Sequence, residues 1–261
     1  APKSGSGKTM ITCGLLQALL DREEKVLAYK CGPDYIDPMF HRRVLGIPGR
    51  NLDTFFTGEE KTRELFLESS TEGSFCVMEG VMGLFDSRDP GDPAGGTADC
   101  ARALGLPVVL VFNGRGMAGS VAALVAGFQL HAVRMGVRLV GTIANNVGSP
   151  RHADILRQAL ERANLPPLLG ALPRREEWRL PERQLGLLPS EEAGTTAAWL
   201  DALAEMAEQH LDIDRLLAML DRTHQVRQVH VGIRTDNQIG MMYIDQFLFH
   251  PFGHASQHTD H

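Results

Sequence analysis

The stretch Ser4-Gly5-Ser6-Gly7-Lys8-Thr9, followed at once by an apolar helical stripe, constrains this chain more than any other feature. Small residues let consecutive backbone N–H groups turn toward one anion. The next helix points its positive end at the same place, and Lys8 adds a full charge. Thr9 stands where its hydroxyl can meet Mg²⁺. Ile11, Leu15, Ala18 and Leu19 recur at helical spacing, which predicts a helix ending near Asp21. Such a loop leaves the carboxyl end of a buried strand in an α/β protein, so it sets both the fold class and the place of the ligand. The pattern departs from G-x-x-x-x-G-K-[ST], because Pro2 stands at the first glycine position. Lys3, five residues before Lys8, suggests the variant loop with a second lysine. The strand that feeds the loop is expected to be missing ahead of Ala1. Two sheet edges would then be exposed, with low stability or homodimerisation through the gap as the outcome.

A net charge of −6 argues against a general nucleic-acid surface, so phosphate binding has to come from local geometry. With 43% hydrophobic residues, the 261-residue chain can bury a full core. Cys13, Cys31, Cys76 and Cys100 lack C-x-x-C spacing and follow no secretory segment, which makes reduced thiols and a cytoplasmic location the expectation. The longest apolar run, near Leu106–Phe112, reads as a strand rather than a membrane span. Neither nucleic acid nor membrane is expected as a partner.

Continuous apolar runs alternate with helical patterns along the chain. Strands are predicted at Lys25–Tyr29, Phe75–Glu79, Pro107–Phe112, Leu139–Ala144 and Leu168–Leu172. Helices are predicted at Glu59–Glu68, Thr97–Leu104, around Val121–Phe128, at Ala153–Ala163 and within Glu191–Leu220. This alternation implies a mostly parallel sheet with helices on both faces, a P-loop NTPase-like α/β fold. Ligands of such sheets lie at the carboxyl ends of the strands, which places Lys8, Lys30, Glu79, Asn113 and Asn145 along one edge. Arg174–Pro189 is charged and punctuated by proline, and Asp221–Gln228 reads as a polar linker. The domain reading is 1–222, followed by a separate segment 223–261.

Phosphoryl transfer needs alignment and charge neutralisation more than covalent help. Lys8 would bridge the β- and γ-phosphates of ATP, and Ser4 to Thr9 would hold them. Glu79 ends an apolar strand and would share Mg²⁺ with Thr9, while Lys30 would face the transferred group. The loop Gly32–Pro38 holds two carboxylates and a phenol in a rigid frame, to orient a polar substrate or as capped turns. Asp53 reads either as a metal ligand or as the cap of a helix starting near Gly58.

Several blocks together resemble a known family. They are Ala-Pro-x-Ser-Gly-x-Gly-Lys-Thr, then Tyr29-Lys30-x-Gly32-Pro33-Asp34-Tyr35-Ile36-Asp37-Pro38-x-Phe40-His41, Asn51-Leu52-Asp53 and Met78-Glu79-Gly80-Val81-Met82-Gly83-Leu84-Phe85-Asp86. Arg115-Gly116-Met117-Ala118, Asn145-x-Val147-Gly148-Ser149-Pro150-Arg151-His152 and Leu180-Pro181-Glu182-Arg183 follow in order. Over roughly the first four-fifths of the chain these are similar to the amino-terminal domain of cobyrinate and hydrogenobyrinate a,c-diamide synthases. The resemblance implies ATP- and Mg²⁺-dependent amidation of two carboxylates on a corrin ring in cobalamin biosynthesis. On that reading an acyl phosphate would form and ammonia would displace phosphate. By the same resemblance, and by similarity to the dethiobiotin synthetase fold, Asn145 would read adenine, Lys30 would neutralise the phosphoryl group, and Asp34, Tyr35 and Asp37 would line the corrin side.

The chain departs from that pattern at Asn113, where Asp is expected, and at Gln184, where His is expected. The family's glutaminase domain supplies ammonia from glutamine through a Cys nucleophile. Here His230-Val231-Gly232-Ile233, with Asp236 and Met242-Tyr243, resembles only its opening, and no cysteine follows Cys100. The chain is therefore expected to use ammonia and not glutamine on its own. Six of the ten histidines lie at or after His224, with His250, His254 and His258 spaced four apart. They could hold Zn²⁺ or Ni²⁺ on one helical face, but Pro251, Gly253, Ser256 and Thr259 make poor helix, which favours an irregular tail. Two other readings are a dethiobiotin-synthetase-like enzyme activating a smaller carboxylate or carbamate, and a partitioning-type ATPase switch suggested by Lys3 with Lys8. The Gly32–Pro38 block disfavours the first. The lack of a basic patch or amphipathic terminal helix disfavours the second.

Overall fold

A computed structural model describes residues 1–33, 42, 45–70, 74–87, 94–178 and 193–221. Asp34, Tyr35, Asp37, Gln184, the segment after 221 and its histidines therefore lie outside the described residues. The chain divides into two units, Ala1–Leu220 and Asp221–His261.

In chain order the elements are α1 (Lys8–Asp21), β1 (Val26–Cys31), β2 (Gly49–Leu52), α2 (Thr54–Ser69), β3 (Phe75–Glu79) and α3 (Thr97–Leu104). Then come β4 (Pro107–Asn113), α4 (Ser120–Arg134), β5 (Arg138–Val147), α5 (Pro150–Arg162), β6 (Leu168–Pro173), a 3₁₀ turn (Glu176–Trp178), α6 (Ala193–His210) and α7 (Ile213–Asp221). All strand pairs are parallel, in two three-stranded sheets ordered β2-β1-β3 and β4-β5-β6 and flanked by helices. The apolar runs form these strands because parallel strands buried on both faces carry no polar alternation.

Two elements differ from expectation. Gly49-Arg50-Asn51-Leu52 has neither an apolar run nor alternation, yet it forms β2, because β1 offers an edge and pairs Lys30 with Asn51 and Cys31 with Leu52. Helix α2 starts five residues before the predicted Glu59. Asp53 caps it, its side chain accepting from the Phe55 N–H at 2.8 Å, and the helix runs through a kink at Gly58.

The core falls into layers. Helix α1 packs against α6 with Leu16, Leu19, Leu203, Met206 and Ala207 all buried. Their backbones come so close at Gly14 that a Cβ there would lie 2.6 Å from the Leu203 carbonyl oxygen. Phe112, Val121, Val125, Leu156 and Leu160 fill the space between β4, α4 and α5. The facing edges β3 and β4 line an apolar cavity of about 200 Å³ with Ile11, Leu15, Ala101 and Leu216.

Candidate active site

The carboxyl ends of β1, β3, β5 and β6 open onto one cavity of about 530 Å³. Ser4, Gly5, Gly7, Lys8 and Thr9 line one side of it, with Lys30, Glu79, Gly80, Val81 and Met82 beside them. Asn145, Asn146, Pro173, Arg174, Arg175 and Trp178 line the rest. The sheet edge expected from sequence therefore brings Lys8, Lys30, Glu79 and Asn145 together.

The loop is shaped by its own residues and by β5. Ser6 is buried, and its hydroxyl donates to the Lys3 carbonyl at 2.8 Å. Asn145 donates from Nδ2 to the Ser6 carbonyl at 3.1 Å, which ties the loop to the end of β5. Gly7, the N-cap of α1, has φ 93°, and a Cβ there would lie 2.2 Å from Asn145 Nδ2. Only glycine combines that backbone with that approach. No side chain caps α1, so its first N–H groups and its positive end are left for an anion at the cavity.

Lys8 donates to the Met82 carbonyl at 2.7 Å. Met82 itself has φ 47°, a left-handed backbone uncommon outside glycine and asparagine. The loop around it is braced by Thr97, which donates to the Val81 carbonyl, and by Asp86, which accepts from the Gly83 N–H. The lysine is thus held a short swing from the phosphate loop by a carbonyl it can exchange for phosphate oxygens.

At the centre, Glu79 Oε1 accepts from the Thr9 hydroxyl at 2.6 Å and from the Lys30 ammonium at 2.9 Å. Lys30 and Glu79 are 4% and 3% exposed, so the pair is largely desolvated and each charge supports the other. The register Lys30↔Glu79 between β1 and β3 sets them side by side. A divalent cation fits this donor set. The Thr9 hydroxyl and the Glu79 carboxylate are adjacent hard oxygen donors that could hold Mg²⁺, which takes few protein ligands and keeps water and phosphate oxygens for the rest. Among the described residues no group of three or more His, Cys, Asp or Glu side chains forms a separate metal cage.

Asp53 serves a neighbouring element. Its side chain caps α2, and it is not among the residues lining the cavity. Asn113, where an Asp was expected, accepts from the Arg115 N–H at 3.0 Å and from Asn146 Nδ2 at 3.3 Å, closing the turn after β4.

Sequence reasoning missed Met82, Asn146, Pro173, Arg174, Arg175 and Trp178. The rule that ligands lie beyond strand ends could have found Pro173 to Arg175, which follow β6 directly. Trp178 gave no signal within a charged segment. It is buried, with the Arg175 guanidinium 5.8 Å from its ring centroid and the His210 ring at 5.7 Å. Burial, and then repulsion from Arg175, hold the His210 imidazole below its usual pKa.

What gathers at this edge is built to take the phosphates of a nucleotide, which puts the protein in the phosphate-loop nucleotide-binding class. Comparison narrows that class: the chain belongs to the family described as the CobQ/CobB/MinD/ParA nucleotide binding domain, whose model matches residues 1–188. It is 41% identical over 221 residues to a cobyrinate a,c-diamide synthase of Synechococcus, covering 85% of this chain and 48% of that protein. A cobyrinate a,c-diamide synthase of Syntrophotalea carbinolica is 39% identical over 251 residues, covering 95% of this chain and 54% of that protein. A hydrogenobyrinate a,c-diamide synthase of Mycobacterium tuberculosis is 43% identical over 223 residues, covering 84% and 48% respectively. The chain spans about half the length of the curated relatives it matches. Among the described residues no helix is long and apolar enough to cross a membrane.

Proposed function

We propose that this chain carries the ATP-dependent step of amidating the a and c carboxylates of cobyrinate or hydrogenobyrinate, with ammonia as the nitrogen source. The observation that carries this reading is the buried Lys30–Glu79 pair hydrogen-bonded to Thr9 beside the phosphate loop. A buried cation beside the phosphate loop supports transfer of a phosphoryl group to a carboxylate there. The names of the relatives supply the substrate class.

Hydroxide leaves a carboxylate poorly, so a substrate oxygen first attacks the γ-phosphorus and ADP departs, giving an acyl phosphate. Ammonia then adds to the acyl carbon and inorganic phosphate leaves with the former carboxylate oxygen. Lys8 exchanges Met82 for phosphate oxygens, and the loop N–H groups hold the remaining negative charge. Lys30 neutralises charge that builds on the transferring group, and Glu79 keeps Lys30 charged and aimed. Thr9 and Glu79 would hold Mg²⁺, which supplies charge neutralisation on the phosphates when bound. Asn145, which also holds the Ser6 carbonyl, would take the base together with Asn146 and Pro173 to Arg175, which line the same cavity. Asp34, Tyr35 and Asp37 would contribute to the corrin side.

The test is to incubate the chain with ATP, Mg²⁺, ammonia and cobyrinate or hydrogenobyrinate and to follow product mass. One or two replacements of carboxyl by carboxamide, matched by ADP, are expected. A folded chain that binds ATP but yields neither ADP nor a mass change would overturn the reading.

A further inference from the structure

Large apolar side chains are exposed at only a few places among the described residues. They are Phe55, Phe56, Met82, Leu130, Val133 and Ile155. The last three lie on the outer helices α4 and α5. The first three come from segments just beyond the carboxyl ends of β2 and β3, on the edge that carries Lys30 and Glu79. Phe56 is the most open of these three, at 66% exposed. Leaving aromatic surface in water on the sheet edge that carries the nucleotide cavity calls for an explanation that scattered exposure elsewhere does not.

We propose that Phe56, backed by Phe55, is a shelf for the apolar face of the corrin macrocycle; this rests on the amidation reading above. Three observations carry it. First, the pair is fixed and not trailing. The rings meet edge to face at 5.2 Å and 85°, and Asp53 accepts from the Phe55 N–H to anchor the turn that presents them. A Cβ at Gly95 would lie 2.8 Å from that of Phe55, so Gly95 packs tightly against the base of the Phe55 side chain.

Second, the reach is right. Register places Leu52, three residues before Phe55, beside Cys31, and Lys30 beside Glu79. The β2 end therefore lies two strand spacings from Glu79, about 10 Å. A corrin carries its carboxylates on short arms around a ring of comparable breadth. A carboxylate held at Lys30 leaves the ring extending along the edge, toward β2 or toward Met82.

Third, the chemistry matches. The ring presents a broad, weakly polar face that gains from stacking on an aromatic side chain, whereas a small linear carboxylate would not reach one. Phe56 is then a specificity-determining contact and takes no part in phosphoryl transfer.

The experiment measures binding of cobyrinate to the chain by equilibrium ultrafiltration, read through the ligand's own visible absorption. A fluorescent ATP analogue is titrated in parallel. Phe56→Ala is expected to weaken cobyrinate binding about tenfold, and the F55A/F56A double variant further, with affinity for the ATP analogue within about twofold of wild type. Phe56→Tyr, which keeps the ring, should bind nearly as wild type. Equal cobyrinate affinity in wild type and Phe56→Ala overturns the shelf and leaves the amidation reading standing. Parallel loss of cobyrinate and ATP-analogue affinity also overturns the shelf, since it reports damage to the fold. A folded wild-type chain that binds the ATP analogue but not cobyrinate overturns both.

Discussion

Lys30 and Glu79 face each other across β1 and β3 at 2.9 Å, both nearly excluded from water, and the same carboxylate oxygen accepts from Thr9 on α1. One oxygen thus joins the phosphate loop's helix to the two strands that end beside it. A charge pair at this depth contributes little net stability while intact, but losing either partner strands the other.

Lys30→Met and Glu79→Gln should therefore each destabilise the fold, Lys30→Met by about 3–5 kcal/mol because it leaves a buried carboxylate without its cation. The double variant should recover much of that loss, since neither charge is then stranded. Urea unfolding of the four proteins gives the coupling directly. Additive losses would mean that the pair is not the unit described. All three variants should lose amidation, so stability and activity part company in the double variant.

Lys8→Met should separate the other way. The bond to Met82 lies at the open side of the cavity and is worth about 0.5–1.5 kcal/mol at most. Unfolding should change little, while affinity for an ATP analogue should fall at least tenfold through loss of a charge-assisted phosphate contact. Fluorescence titration against urea unfolding on the same samples checks both halves.

The contrast between these residues and others explains what could be read from sequence. Lys8, Thr9, Lys30 and Glu79 were legible because each follows from a local rule: a glycine-rich turn, or the last residues of an apolar strand. β2 was not, since four residues with one apolar side chain become a strand only through pairing with β1. The grip of Asn145 on the Ser6 carbonyl and the stacking of Arg175 on Trp178 join positions whose proximity is decided by the sheet. Asp53 was half legible. Cap and metal ligand are both natural uses of a carboxylate after a short strand, and the early start of α2 realises the cap.

Gly14 tests the packing that positions the loop. An alanine there would bring its Cβ to 2.6 Å from the Leu203 carbonyl oxygen and 2.7 Å from Met206 Cε. The methionine end can move, but the carbonyl belongs to a helix and cannot without shifting α6. Gly14→Ala should cost about 1–3 kcal/mol in chemical denaturation despite the better helix propensity of alanine. A stabilised variant would mean that α1 and α6 sit further apart than described.

The pH dependence of stability should carry a contribution from His210, which lies edge-on to Trp178 with Arg175 beside it. Burial and then the Arg175 charge lower its pKa in the folded chain from the ordinary value of 6.5. The folded state therefore binds its proton less readily than the unfolded state does. This contribution is intact above about pH 6.5 and is lost as pH falls through the window between 6.5 and the lowered folded value. His210→Gln, which cannot take up the proton, should lose less stability than wild type between pH 7.5 and pH 5.5. Arg175→Gln should shrink the difference in part, because it removes the repulsion and leaves the burial. Urea midpoints at the two pH values decide it. An unchanged gap in His210→Gln would assign the acid loss to other groups and leave Trp178 as the feature that organises this corner of the cavity.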